Sequence, residues 1–423
     1  MISKSALGTI VSDQSKNFID LKNIVPRAIL KDLLKFNGGS ALVVKGVRRC
    51  GKSTILKQLM LEKYNKRFLY FNFDDERIIT FNSNDFQILM EVLIGINGDF
   101  KTVLFDEIQN IKGWEFFINR IIQEGYKVFI TGSNANLLSK ELGTYMTGRH
   151  SDMDIYPFSF VEFLKARKAK IINQKFYSTA EKSEILNLFN DYLITGGMPE
   201  AVVLKNELVL NSIVTDIVQN DIVNRYNVRH STELKQVISF LIANASNPIT
   251  YRSILKNFEI KSTDTIQKYI NYAEDTYLLF TVRKFERKIK KLDKNPKKIY
   301  CIDNGIMKRW VSDLNENNGA LLENAIAIHL KRLGKEIYYY KSKSGAETDF
   351  IIPKEKMAIQ VCYEITDKNK DREIQGLLLA LDELNATTGI ILTHDQEEEI
   401  NIKKYKILII PTWKWFIETK LAI

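Results

Sequence analysis

The chain has 423 residues, more than one hydrophobic core usually spans, so its length predicts two to four domains. The apolar fraction of 45% and the charged fraction of 26% are typical of ordinary soluble globular proteins. The best apolar run, residues 237–243, is far too short to cross a bilayer, which excludes a membrane-spanning protein. Residues 1–12 lack the layout of a signal peptide, so we expect a cytoplasmic protein without a membrane partner.

The formal net charge is +10. A basic surface attracts phosphate polymers by counterion release, but it also improves solubility, so charge alone leaves nucleic-acid binding open. The three cysteines, Cys50, Cys301 and Cys362, lie far apart and match no metal-binding spacing. We therefore expect free, reduced thiols.

The first third of the chain alternates between strand and helix patterns. Residues 41–45 form a short apolar run that ends at a glycine, which predicts a buried strand, and residues 53–64 follow with helical spacing. Further strands are predicted at residues 67–73, 102–105, 127–131 and 152–156. This alternation is typical of an α/β fold with a parallel sheet that helices cover on both faces.

The pattern changes after Pro157. Residues 159–245 have a helical pattern with one break at Thr195-Gly196-Gly197-Met198-Pro199, which predicts a turn between helices. Residues 246–300 hold short helices and a basic stretch, and residues 319–423 return to mixed patterns. There we predict helices at residues 321–333 and 371–384, and strands at residues 336–340, 348–352, 358–363, 389–393 and 406–410.

One segment fits the phosphate-loop motif G-x-x-x-x-G-K-[ST], and its residues are Gly46, Val47, Arg48, Arg49, Cys50, Gly51, Lys52 and Ser53. Its glycines let the backbone curl, so that several N–H groups point at one phosphate, and the following helix adds its positive dipole end. We expect Lys52 to reach the β- and γ-phosphates, Ser53 to bind Mg²⁺, and the nucleotide contacts to continue to Thr54. No Asn-Lys-x-Asp motif follows, which favours ATP over GTP.

Two adjacent carboxylates end the strand predicted at residues 102–105. In a phosphate-loop fold the first, Asp106, holds Mg²⁺ through water, and the second, Glu107, polarises the attacking water as general base. Alone, such a pair indicates only a solvated acidic turn. Together with the phosphate loop upstream, it predicts a site for ATP hydrolysis.

Two further polar positions are weaker candidates. Asn134 and Ser133 follow the strand predicted at residues 127–131, where a polar side chain can contact the γ-phosphate or orient water, although Ser133 can also serve as a plain helix cap. Arg149 precedes the fifth predicted strand, where an arginine can stabilise transition-state charge, often from a neighbouring subunit. The alternative for Arg149 is a surface side chain.

Together with Thr131-Gly132-Ser133 and Gly148-Arg149, these motifs resemble an AAA-type ATPase. Later motifs resemble the bacterial and archaeal members that carry a C-terminal domain of unknown function; they are Pro157-Phe158-Ser159-Phe160-x-Glu162-Phe163, Gly196-Gly197-Met198-Pro199, Leu322-Glu323-Asn324 and Glu347-Thr348-Asp349-Phe350. The resemblance implies an ATPase domain at residues 1–165, a helical lid at 166–240, a winged-helix-like segment at 241–315 and a restriction-endonuclease-like domain at 316–423.

The winged-helix expectation places a helix cap at Ser262-Thr263-Asp264-Thr265. Residues 283–298 then hold nine Lys/Arg against Glu286 and Asp293, including Lys288, Lys290 and Lys291. This stretch is either a basic hairpin that grips DNA phosphates or a solvated charged loop. An acidic protein partner is the alternative to DNA.

The C-terminal region lacks part of a nuclease site. The resemblance implies a helix carboxylate, an Asp on one strand and (Asp/Glu)-x-Lys on the next, with metal held by the carboxylates. Glu323 and Asp349 supply the first two, but the third motif reads Gln360-Val361-Cys362. Lys341 or Lys343 is a candidate replacement for the missing lysine. We expect a fold that is kept for binding or packing and that cuts DNA poorly or not at all.

Three hypotheses follow from these motifs. The first is an oligomeric ATPase that couples ATP turnover to movement on, or remodelling of, DNA. The second is a nucleotide-gated regulatory protein whose slow hydrolysis acts as a timer. The third is an ATP-controlled nuclease.

Overall fold

The computed structural model describes residues 2–18, 24–133, 149–169, 177–260, 262–287, 295–310 and 317–421. The chain divides into two compact units, one of Met1–Ile155 with Asp275–Tyr277 and one of Tyr156–Glu274 with Leu278–Ile423. Within the described ranges, every helix is too short or too polar to traverse a lipid bilayer.

The first unit is built on a five-stranded sheet. Its strands are β1 (Ala41–Lys45), β2 (Leu69–Asn72), β3 (Thr102–Asp106), β4 (Lys127–Gly132) and β5 (His150–Asp154). They lie in the order β2-β3-β4-β1-β5 and all pair in parallel, which confirms the predicted parallel sheet. The helices are α1 (Lys4–Phe18), α2 (Leu30–Leu34), α3 (Lys52–Tyr64), α4 (Phe86–Asn97) and α5 (Trp114–Gln123).

Parallel pairing brings the carboxyl ends of β1, β3 and β4 to one edge of this sheet. Thr131 in β4 lies opposite Val44 in β1, and Ile130 lies opposite Phe105 in β3. The phosphate loop, the acidic pair and the polar end of β4 therefore meet at this edge, where ligands of open parallel sheets bind.

Helix α1 is an element that the sequence prediction missed. Leu7, Ile10 and Val11 are buried in the same hydrophobic cluster as Leu69 of β2 and Leu89 of α4. The i, i+3, i+4 spacing of these three apolar residues was a readable signal for a helix with one buried face.

The second unit begins with helices. They are α6 (Phe160–Ala166), α7 (Thr179–Thr195), α8 (Pro199–Leu204), α9 (Leu208–Asp216), a π-helix (Ile217–Asn224) and α10 (Ser231–Ala243). The predicted turn at residues 195–199 lies between α7 and α8. Ser159 begins α6 with a capping box, since its hydroxyl accepts from the Glu162 N–H at 3.3 Å and Glu162 accepts from the Ser159 N–H at 2.9 Å.

The rest of the second unit forms one sheet with helices. The helices are α11 (Tyr251–Leu255), α12 (Thr263–Asp275), α13 (Asn304–Trp310), α14 (Asn318–Arg332), α15 (Lys370–Leu384) and α16 (Thr412–Leu421). The strands are β6 (Pro248–Ile249), β7 (Leu279–Lys284), β8 (Lys297–Cys301), β9 (Tyr338–Lys341), β10 (Glu347–Ile352), β11 (Met357–Val361), β12 (Thr388–Thr393), β13 (Glu398–Ile402) and β14 (Tyr405–Pro411). Ser262 caps α12, as predicted, because its hydroxyl accepts from the Asp264 N–H at 3.1 Å.

The nine strands lie in the order β13-β14-β12-β11-β10-β9-β7-β8-β6. β6, β8 and β7 pair antiparallel, as do β9, β10 and β11, whereas β11, β12 and β14 pair in parallel. β7 joins β9 in parallel, so the β7–β8 hairpin and the C-terminal strands share one sheet.

The glycines of the Gly196-Gly197 turn allow a close approach to a buried carboxylate. Gly197 N–H donates to Asp303 at 2.6 Å, and a Cβ on Gly196 would lie 2.2 Å from the same carboxylate. A Cβ on Gly197 would lie 2.3 Å from the Phe158 carbonyl oxygen. Burial raises the pKa of Asp303 to about 6, even though backbone N–H groups donate to its charged form. This motif therefore packs α7 and α8 against Asp303.

Candidate functional site

The phosphate loop follows β1 and opens α3, as the motif requires. Gly46 has a φ of 155° and approaches the chain after β5 so closely that a Cβ there would lie 2.2 Å from the Ile155 carbonyl oxygen. The Cys50 thiol donates to that same oxygen at 3.4 Å, and the Arg27 guanidinium donates to the Cys50 carbonyl at 3.0 Å. Burial raises the Cys50 pKa, which keeps this thiol neutral. Val47 and Cys50 are buried, whereas Arg49 and Thr54 are exposed.

Lys52 reaches back over the loop. Its ammonium donates to the carbonyls of Gly46 at 3.1 Å and Val47 at 3.2 Å, and it lies 3.8 Å from the Glu107 carboxylate. The buried ammonium thus has two neutral acceptors and a single, long ion pair, with Glu107, at the loop. This arrangement suits a polyanionic phosphate.

Asp106 ends β3 beside two hydroxyl groups. It accepts hydrogen bonds from the Thr131 hydroxyl and from the Ser53 hydroxyl of the phosphate loop. Burial, and then the neighbouring charge of Glu107, raises the pKa of Asp106. A carboxylate and a hydroxyl are the hard oxygen donors that Mg²⁺ prefers, and a buried carboxylate gains most from a cation, so this pair fits Mg²⁺.

Thr131 is a site residue that the sequence reasoning passed over in favour of its neighbours. Its hydroxyl contacts Asp106 and also accepts from the Glu107 N–H at 3.0 Å, so one side chain fixes both acidic residues. Ser133 is buried, and Asn134 lies outside the described residues, so its predicted role stays a prediction. The sequence feature that could have indicated Thr131 is its place at the carboxyl end of β4, the strand that pairs with β3 and its terminal Asp106.

Arg149 lies at the opposite edge of the sheet. Its carbonyl accepts from the Ala41 N–H at the start of β1, about five strand residues, or roughly 16 Å, from the loop end of that strand. Its guanidinium is exposed and donates to Asn119 of α5 at 2.8 Å. Arg149 therefore does not join the phosphate loop of its own chain.

The second unit holds a separate cluster of charged side chains around Lys298 of β8. Its ammonium lies 2.8 Å from Asp349, 2.9 Å from Glu347 and 3.1 Å from Glu323, and its side chain is only 2% exposed. Burial opposes its charge, but the carboxylates outweigh that effect and raise the Lys298 pKa well above its ordinary value. Tyr300 also donates to Glu323 at 2.7 Å. We call this set the lysine–carboxylate cluster.

The buried cation of this cluster is therefore Lys298, which neither Lys341 nor Lys343 replaces. Lys341 of the preceding strand is exposed and contacts only Glu347 of the cluster, at 3.1 Å, and Lys343 is also exposed. Lys298 had been counted among the basic residues available to DNA, but its burial prevents that contact. The sequence does not reveal this pairing, because Lys298 lies 25 residues before Glu323, in the segment predicted to be winged-helix-like.

The degenerate third motif makes its polar contacts within the protein. Gln360 donates from its amide to Glu373 at 2.7 Å and accepts from the Asp349 N–H at 3.3 Å. Burial, and then the charge of Glu373, raises the pKa of Cys362 to about 11, so its thiol is neutral at pH 7. In the described part of the chain, no group of three or more His, Cys, Asp or Glu side chains is arranged to hold a metal ion.

Comparison with known families gives three consecutive matches. Residues 39–164 match an AAA domain, residues 186–318 match a domain of unknown function, DUF8612, and residues 318–415 match another, DUF4143. The first match covers both the phosphate loop and the Asp106–Glu107 pair. It marks the first unit as a nucleotide-binding domain of the AAA type.

Two relatives match most of the chain. An uncharacterized protein of Methanocaldococcus jannaschii is 35% identical over 391 residues, which span 88% of this chain and 87% of that protein. An uncharacterized protein of Haemophilus influenzae is 30% identical over 401 residues, 91% of this chain and 96% of that protein. Among solved structures, AMPPCP-bound DnaA from Aquifex aeolicus aligns over 58% of this chain and 84% of its own at 15% identity, with a TM-score of 0.22 that is too low to support an argument.

Proposed function

The chain belongs to one family with these two relatives, and because its residues 39–164 match an AAA domain, we propose that it binds ATP with Mg²⁺ and hydrolyses it. The observation that carries this proposal is the approach of Lys52 and Glu107 at the phosphate loop, 3.8 Å apart, with Asp106 beside them. A cation for phosphate and a carboxylate for water at one edge of the sheet are what phosphoryl transfer to water needs.

In the proposed reaction, Lys52 and the loop N–H groups bind the β- and γ-phosphates. Mg²⁺, when bound through Ser53 and Asp106, would neutralise charge between these phosphates. Glu107 takes a proton from water as the water oxygen bonds to the γ-phosphorus, the bond to the bridging oxygen breaks, and ADP and phosphate leave. The Thr131 hydroxyl, which donates to Asp106 and accepts from the Glu107 N–H, holds these two residues in place relative to each other during this step.

Arg149 enters the proposal only through a second copy of the chain. Its position at the start of β5, away from its own phosphate loop, suits an arginine that completes the site of a neighbouring subunit. The proposal therefore includes a homo-oligomer, in which each ATP site is formed by two subunits.

DNA is the second part of the proposal. A winged helix, a common DNA-binding fold, is supported by the order of elements in this segment. That order is α10-β6-α11-α12-β7-β8, with β6, β8 and β7 adjacent and antiparallel. In the described part of the basic stretch, Lys284 pairs with Glu286 and Arg287 pairs with Glu383. The predicted phosphate contacts Lys288, Lys290 and Lys291 lie outside the described residues. A nucleotide-gated regulator with slow hydrolysis remains the alternative.

For the C-terminal region we propose a restriction-endonuclease-like fold without nuclease activity. The strand order β9-β10-β11-β12 between α14 and α16, with β11 and β12 parallel, supports the fold. The lysine–carboxylate cluster supports the loss of activity, since the Lys298 ammonium already lies between the carboxylates that would hold a metal. The third hypothesis, an ATP-controlled nuclease, is therefore disfavoured.

The test is ATP turnover by the purified chain with Mg²⁺, with and without duplex DNA. We expect hydrolysis that is lost in Lys52→Ala, because the phosphates lose their cation, and kept in Lys57→Ala, a control on the same helix. Stimulation by DNA would support the ATPase that acts on DNA, whereas slow turnover indifferent to DNA would support the regulator. Equal turnover by Lys52→Ala and the wild type would contradict the proposed site.

A further inference from the structure

Each polar group of Glu107, in the backbone and in the side chain, has a partner within the protein. Its backbone has a φ of 52°, in the left-handed region that costs a non-glycine residue about 1–2 kcal/mol. The Thr131 hydroxyl accepts from its N–H at 3.0 Å, and its carbonyl accepts from the Asn110 N–H at 3.1 Å. Carboxylate oxygen Oε1 lies 3.8 Å from the Lys52 ammonium, and Oε2 accepts from the Gln109 amide. A conformation with this cost persists only where the surroundings hold it.

Among these partners, Gln109 differs in that one of its own polar atoms is buried without a partner in the described part of the chain, which lowers the stability of the fold. Its amide nitrogen donates to Glu107, but its carbonyl oxygen Oε1 is buried with no hydrogen-bond partner among the residues that the structure describes. A buried acceptor without a donor costs about 1–3 kcal/mol. An apolar side chain of the same length would avoid this cost but could not donate to Glu107.

The two oxygens of Glu107 face different partners. Oε1 faces Lys52 and therefore the phosphate loop, where the attacking water must lie, whereas Oε2 is turned toward Gln109. A general base needs one oxygen aimed at the water and free to accept its proton. The donor on Oε2 fixes the rotation of the carboxylate and leaves Oε1 for that task.

We propose that Gln109 is a positioning residue for ATP hydrolysis, which aims the Glu107 carboxylate at the attacking water through its amide N–H. This inference rests on the proposed ATPase function and names the side chain that orients its base. Gln109 itself contacts neither phosphate nor water in this role. Its loss should therefore slow the chemical step and leave the binding of ATP nearly intact.

The experiment compares Gln109→Met with the wild type and with Asn110→Met as a matched control. Asn110 is the next residue of the same turn, but its side-chain amide donates to the Phe73 carbonyl at 3.2 Å, and only its backbone N–H, which the substitution keeps, donates to Glu107. For Gln109→Met we expect kcat to fall about 10- to 100-fold and KM for ATP to change less than about twofold. Its midpoint of thermal unfolding should be unchanged or higher, because the unpartnered acceptor is gone.

Gln109→Glu separates the amide donor from the shape of the side chain. It has the same length but no N–H to donate, so its kcat should fall at least as far as that of Gln109→Met. Asn110→Met should keep the wild-type kcat. If Gln109→Met keeps the wild-type kcat while Glu107→Gln loses it, the inference fails and the proposed function stands. If Gln109→Met loses kcat only together with thermal stability, the role is structural and the inference is also wrong. Absence of wild-type turnover would instead remove the proposed function on which the inference rests.

Discussion

Each of the two units places a buried lysine near carboxylates, but the contacts of the two lysines differ. At the phosphate loop, Lys52 donates to backbone carbonyls and has one carboxylate, Glu107, at 3.8 Å. In the lysine–carboxylate cluster, the Lys298 ammonium lies within 3.1 Å of three carboxylates. The first lysine can turn to an anionic ligand, whereas the second is already held by carboxylates of its own chain.

The difference shows that residue types alone do not make a catalytic site. Glu323 and Asp349 match the acidic positions of a metal-dependent nuclease, but an ammonium lies between them. A metal ion would have to displace that ammonium from a buried position, and the ammonium would then be left without its partners. The cluster therefore stabilises the second unit by joining β8 to α14 and β10.

The largest effect on stability should come from Lys298→Met, which removes the cation that contacts the buried carboxylate of Asp349 and the half-buried carboxylates of Glu323 and Glu347. Removal of one partner from such a pair costs about 3–5 kcal/mol, and we expect this loss in the free energy of unfolding. The control is Lys297→Met, the neighbouring residue of β8, which is half-buried and donates to the Tyr251 hydroxyl. Urea denaturation of both variants measures the difference. Similar stabilities for the two variants would show that the cluster is not a stabilising contact.

A smaller, pH-dependent effect should come from Glu323. Burial, and then the charge of Asp349, raises the pKa of Glu323 above its ordinary value, so the folded chain binds this proton more tightly than the unfolded chain. The stability contributed by that proton is present below the unfolded pKa and is lost as the pH rises through the higher folded pKa. The unfolding free energy of the wild type, relative to Glu323→Gln, should therefore decline from about pH 4 toward neutrality. A difference that stays constant over this range would contradict the shift.

The phosphate loop could be read from the sequence because its parts are contiguous and its chemistry fixes their spacing. Gly46, Lys52 and Ser53 lie within eight residues of each other, and the adjacent strand pattern placed them at the edge of a sheet. The Asp106–Glu107 pair followed from the same logic, since parallel strands bring their carboxyl ends together. The fold of the first unit could likewise be predicted, apart from α1 and α2.

The lysine–carboxylate cluster could not be read in the same way. Lys298, Glu323 and Asp349 meet only because β8 and β10 belong to one mixed sheet against α14, and no local pattern specifies that sheet order. The sequence placed Lys298 in a basic stretch, where charge suggested solvent and DNA. Its burial depends on long-range pairing, which periodicity does not report.

The contrast between the two units is tested most directly by ATP turnover of two matched variants, Glu107→Gln and Glu323→Gln. Each replaces a carboxylate by an amide of the same shape, one at the phosphate loop and one in the lysine–carboxylate cluster. We expect Glu107→Gln to bind ATP but to lose about two to four orders of magnitude in kcat, since the general base is gone. Glu323→Gln should keep the wild-type kcat. Wild-type turnover by Glu107→Gln, or its loss in Glu323→Gln alone, would contradict the account.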